Sequence, residues 1–121
     1  MRQLLPIAAA GLLALVAQTA MAGEIVIPIE DGVAVDDLTM TYDCEGEDFP
    51  VRYINAGPSI SLAIFEVEDE PVVAAITVSA SGARYQGGRY IWWTRGFEAS
   101  LFDVMEGADA EPIARCEGES P

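Results

Sequence analysis

The chain alternates with a period of two. In Pro58–Val67 (PSISLAIFEV), Ile60, Leu62 and Ile64 fall on one face, and Ser59, Ser61 and Ala63 on the other. Successive side chains of a strand point to opposite faces, whereas an amphipathic helix repeats every three to four residues. The spacing therefore specifies half-buried strands with the isoleucine–leucine face toward a core. EIVIPIE places Ile25, Ile27 and Ile29 on one face, and LTMTYDC interleaves threonines with apolar residues. PVVAAITVS opens on Pro71, which suits a strand start and not a strand interior, and then runs β-branched and apolar. Asp31-Gly32, Ala56-Gly57-Pro58, Glu68-Asp69-Glu70 and Gly87-Gly88 punctuate these runs as turns. Gly87-Gly88 reads as the centre of a two-residue hairpin of type I′ or II′. Strands are expected over 24–30, 38–44, 49–55, 59–67, 71–79, 83–86 with 89–94, 97–104 and 111–116, and the final EGESP is expected to be loose. About eight short antiparallel strands without a helix make an all-β fold, a small β-barrel that leaves no sticky edge, or a sandwich.

The first 22 residues stand apart. Arg2 is followed by the apolar run Leu4–Ala17 and by Ala20-Met21-Ala22, the pattern of a signal peptide cleaved after Ala22. The run is short for a bilayer span, which needs ~20 residues. Residues 1–22 are thus expected to be a leader, and residues 23–121 one domain, with no membrane insertion after cleavage. Gly23 stands where a lipid-modified chain would carry cysteine, so the expected location is the periplasm without a lipid anchor. Two cysteines in an exported chain point to a disulfide between Cys44 and Cys116, within one chain or between two. Within one chain, such a long loop would contribute about 4 kcal/mol in the chain-entropy account. A monomer or a homodimer fits equally.

Twenty acidic residues face six arginines, with no lysine and no histidine, for a formal net charge of −14. That charge repels nucleic acid and anionic lipid and favours a basic partner. Without histidine there is no Ser-His-Asp or Cys-His machinery. No GxSxG, phosphate loop or HExxH is present. Asp43, Glu45, Glu47 and Asp48 do not follow the spacing of an EF-hand loop and read as a solvated turn. The chain is expected to be no enzyme and to carry no cofactor or metal.

Ser79–Gly96 (SASGARYQGGRYIWWTRG) gathers three arginines, two tyrosines and two tryptophans. On its returning strand Tyr90, Trp92 and Thr94 share one face, and Ile91, Trp93 and Arg95 the other. A small barrel buries one face, so one tryptophan should be exposed or partly covered. Aromatics beside arginine have the composition of a protein–protein hot spot. Three patterns here resemble the lysozyme inhibitors of the MliC/PliC type. They are Tyr42-x-Cys44-x-Gly46, the SGxxY of Ser81-Gly82-Ala83-Arg84-Tyr85, and Trp93-x-Arg95-Gly96 before EASL, with Cys116 also in place. The resemblance spans about Thr39 to Cys116. It implies an eight-stranded antiparallel barrel closed by a disulfide, and a C-type lysozyme as the basic partner. It also implies that the SGxxY serine and the cation of W-x-K-G meet the enzyme's two catalytic carboxylates. Carried across, these are Ser81 and Arg95, with Gly82, Tyr85 and Gly96 beside them. Arginine replaces the family's lysine at 95; it keeps the charge but is longer and planar. The competing reading is a small periplasmic barrel that binds another ligand or an envelope partner and leaves lysozyme untouched.

Overall fold

The computed structural model describes Gly11 and residues 23–119; apart from Gly11, the expected leader lies outside the described residues. Eight strands follow in order: β1 (Val35–Cys44), β2 (Glu47–Ala56), β3 (Ile60–Val67), β4 (Glu70–Thr77), β5 (Ala83–Gly87), β6 (Tyr90–Arg95), β7 (Glu98–Asp103) and β8 (Ala114–Gly118). Each pairs antiparallel with its sequence neighbour, and β8 returns to β1, closing the barrel. The expected all-β antiparallel barrel of about eight strands is what forms. A 3₁₀ turn at Val104–Glu106 lies in the long connection from β7 to β8. Followed once round, the register advances by about ten residues, the stagger that tilts strands in a closed barrel.

The seam between β8 and β1 is short: Tyr42↔Gly118, Asp43↔Glu117 and Cys44↔Cys116. The disulfide sits on the last of these pairs, with Cα atoms 4.1 Å apart and a separation of 72 positions in sequence. The bridge is therefore within one chain. Odd strands run one way and even strands the other. The 78–82 and 96–97 connections therefore share an end with the start of β1 and the finish of β8, opposite the turns at 45–46, 68–69 and 88–89.

Trp92 organises the interior. It is fully buried, with Tyr42, Phe49 and Phe65 packed around it at ring-centroid distances of 5.0, 5.2 and 6.0 Å. Its Nε1–H donates to the Tyr53 hydroxyl at 2.8 Å, and that hydroxyl meets Tyr42 Oη at 2.7 Å. A buried indole N–H needs such a partner. Burial pushes the hydroxyls of both tyrosines above their ordinary titration range.

Four local expectations are corrected. Residues 24–30 form no strand, and Ile25, Val26 and Ile27 are exposed; a closed barrel offers no free edge to pair with them. On β3 the inward residues are Ala63 and Phe65, while Ile60, Leu62 and Ile64 face outward and are half-buried. Small residues are needed inside there, as at Ala74 on β4, because the large rings already fill the interior. The hairpin after β5 turns at Gly88-Arg89, one residue later than expected, since Gly87 pairs with Tyr90. Gly87 instead lies against β4, where a Cβ would stand 2.4 Å from the Val73 carbonyl oxygen. Finally, Glu117 and Gly118 belong to β8 and are not loose; the Gly118 amide donates to Phe97 O at 2.6 Å.

Candidate functional site

The connection from β4 to β5 is a short exposed loop, 78–82, folded back on itself by hydrogen bonds to one carbonyl. Ser79 Oγ donates to Ser81 O at 2.7 Å, and Trp93 Nε1 donates to the same oxygen at 2.9 Å. Ser81 itself stays exposed. Gly82 follows at φ +67, so close to β6 that a Cβ would meet Thr94 O at 2.1 Å and Arg95 Cγ at 2.9 Å. Only glycine lets the loop lie this near the neighbouring strand while taking a left-handed backbone.

Arg95 ends β6, and Gly96-Phe97 turns the chain into β7 with Arg95 opposite Glu98. Gly96, at φ +60, begins that two-residue turn. The Arg95 guanidinium lies over the Trp93 ring, 4.2 Å from its centroid, and that of Arg84 lies 5.9 Å from the same centroid. Ser81, Gly82, Arg95 and Gly96 thus form one exposed surface at one end of the barrel, with Trp93 behind it. Tyr85 is set apart: its ring is buried inside the barrel, 5.8 Å from that of Tyr53.

The electrostatics of this surface follow from the pairing of the arginines. Arg52 pairs with Asp37, Arg89 with Asp103 and Arg115 with Glu111. Among the described residues, Arg84 and Arg95 form no ion pair. From Arg95 the register runs through Glu98, Glu117, Asp43 and Asp48, so four acids lie in one row across β7, β8, β1 and β2. Facing like charges repel, and the row ends at an arginine that none of them neutralises. The arrangement presents a cation and a hydroxyl with donors free for an acceptor outside the chain. Among the described residues no three His, Cys, Asp or Glu side chains group in a way that could hold a metal ion.

Sequence reasoning missed the part played by Trp93. The signal was present, since residues 93 and 95 share a face by strand alternation. What alternation cannot give is the rotamer that turns the indole N–H onto the next hairpin.

Comparison with known proteins gives concordant matches. The model of the family described as membrane-bound lysozyme-inhibitor of c-type lysozyme, MliC, matches residues 42–110. A protein of Cupriavidus necator named membrane-bound lysozyme inhibitor of C-type lysozyme is 43% identical over 114 residues, covering 92% of this chain and 90% of its own. One of the same name from Pseudomonas aeruginosa is 38% identical over 101 residues, covering 82% and 77%. Among solved structures, Pseudomonas aeruginosa MliC in complex with hen egg white lysozyme matches with a TM-score of 0.65 and 34% identity, over 84% of this chain and 100% of that one. The relatives' names correct one expectation. They are membrane-bound, against the reading of a periplasmic protein without a lipid anchor. That reading rested on one missing cysteine at Gly23. The absence of one attachment chemistry at one position says nothing of others.

Proposed function

We propose, because the chain belongs to the MliC family of membrane-bound lysozyme-inhibitors of c-type lysozyme, that it inhibits a C-type lysozyme by inserting the Ser81 and Arg95 loops into the enzyme's cleft. The observation that carries this reading is an exposed, unpaired Arg95 beside an exposed Ser81 in an otherwise acidic chain. Lysozyme works with two carboxyl groups flanking the scissile bond, one protonated and one ionised. The Arg95 guanidinium offers a fork of donors to the ionised carboxylate, and the Ser81 hydroxyl can hydrogen-bond the protonated one. With both engaged, neither proton transfer nor attack at the sugar can occur. The chain acts as an inhibitor and undergoes no chemistry of its own. Gly82 and Gly96 hold the two loops in reach of the cleft, and Tyr85 supports the barrel beneath them. Residues 1–22 serve as the export leader and residues 23–121 as the inhibitor domain.

A cell-wall lysis assay tests this. Residues 23–121, oxidised, are titrated into C-type lysozymes beside the Arg95→Ala and Ser81→Ala variants. The parent should inhibit stoichiometrically. Arg95→Ala should weaken inhibition by about 30-fold or more, the usual cost of leaving a desolvated carboxylate without its partner. A parent that inhibits none of several C-type lysozymes, or an Arg95→Ala variant as strong as the parent, overturns the proposal.

A further inference from the structure

We infer that Trp93 is a positioning residue that sets Ser81 and Arg95 at once, and that the arginine at 95 depends on it. The inference rests on the inhibitory reading above and deepens it. One indole makes both contacts: its N–H donates to Ser81 O at 2.9 Å, and its face carries the Arg95 guanidinium at 4.2 Å. The two loops belong to different hairpins, and their turns are separated in sequence by the whole of β5 and β6. Nothing in strand pairing alone fixes the 78–82 loop relative to the end of β6, because their ladder begins only at Ala83↔Thr94. Trp93 supplies the missing link. Its own position is set by the ladder, which places it opposite Arg84 and Ser100, and by the Phe102 ring at 6.4 Å.

The stack has a second consequence. Arginine carries large rotamer freedom, and holding it still before binding removes part of the cost of association. A guanidinium is planar and weakly hydrated and stacks on an indole face; an ammonium is compact and strongly hydrated and does so less well. With Glu98 opposite it in the register and no ion pair formed by Arg95 among the described residues, the indole holds the side chain without neutralising it. Lysine at this position would keep the charge and lose most of that restraint.

The test has two arms. In free protein, NMR should find the Arg95 side-chain protons shifted upfield by the Trp93 ring current, and Trp93→Leu should abolish the shift. Absence of the shift in the parent overturns the inference whatever the protein inhibits. In the second arm, inhibition constants are measured for the parent, Trp93→Phe, Trp93→Leu, Arg95→Lys and the double variant Trp93→Leu/Arg95→Lys. Circular dichroism and thermal unfolding show that each is folded. Arg95→Lys should weaken the parent by about tenfold, the scale of a partly desolvated cation–π contact. In the Trp93→Leu background the same change should cost less than about twofold, because the coupling is already gone. Trp93→Phe keeps a ring and loses the N–H donor, so it should fall between parent and Trp93→Leu. Additive effects of Trp93→Leu and Arg95→Lys, or a Trp93→Leu variant as potent as the parent, overturn the inference while the parent's inhibition stands. A parent inert toward every lysozyme overturns the proposed function and the positioning role with it.

Discussion

Gly82 and Gly96 both sit at positive φ, +67 and +60, yet they answer to different constraints. A Cβ at 82 would collide with the Thr94 carbonyl, whereas a Cβ at 96 would meet nothing within 4 Å. Gly96→Ala should therefore cost only the left-handed backbone penalty, about 1 kcal/mol. Gly82→Ala adds a backbone clash that must be relieved by moving the loop, and should cost at least about 2 kcal/mol. Urea unfolding of both variants measures the difference. Inhibition should survive Gly96→Ala better than Gly82→Ala, since only the latter displaces Ser81 from Arg95. At this scale the sequence was most informative. Ser81, Gly82, Arg95 and Gly96 were legible as a group from their local patterns, and the structure gathers them. Tyr85 shared the same pattern and faces the core instead. A motif records which residues recur together and not which way each one points.

Elements were legible where alternation was clean and their neighbours were ordinary. β2, β3, β4 and β7 begin and end within two residues of where period and turn residues place them. The misplacements have a common cause: burial in a barrel is decided by the whole circuit. Ile25–Ile29 alternates as well as any strand, but all ladder positions are taken. Ile60, Leu62 and Ile64 face outward because the other face of β3 supplies Phe65 and the small Ala63 to an interior already occupied by Trp92. The connection from β7 to β8 illustrates what local pattern cannot supply. Asp103, buried at its start, accepts two hydrogen bonds from Arg89, at 2.9 and 2.5 Å, and one from the Met105 amide at 2.9 Å. The Arg89 guanidinium holds the Asp103 carboxyl below the usual carboxylate range, and burial only partly opposes it. A carboxyl whose folded value is depressed stabilises above its unfolded value and loses that contribution as pH falls through the folded one. The stability gap between parent and Asp103→Asn should accordingly be widest near neutral pH and close progressively below pH of about 4. Thermal unfolding across a pH series checks it, and a gap that widens in acid would contradict the assignment.

Over the whole molecule, charge and closure govern behaviour. A body at −14 attracts a basic partner at long range, and salt screens that attraction. Raising monovalent salt from ~50 to ~500 mM should slow association with lysozyme by about tenfold while changing dissociation little. Stopped-flow measurements separate the two rates. The barrel is closed by a seam of three residue pairs and one disulfide. Replacing Cys44 and Cys116 by alanine should cost about 4 kcal/mol. Hydrogen exchange should then rise first in β8 and in the last residues of β1, where few ladder bonds hold the edge. An even number of up-and-down strands also decides how the protein can be handled. Both chain ends leave from the end that carries Ser81 and Arg95. A sensor chip or bead coupled through either terminus would turn the Ser81 and Arg95 loops toward the support. Residues 23–34 precede β1 without a strand and give a lead of at most ~40 Å at full extension. A handle placed at the 45–46 or 68–69 turn would leave the opposite end facing solution.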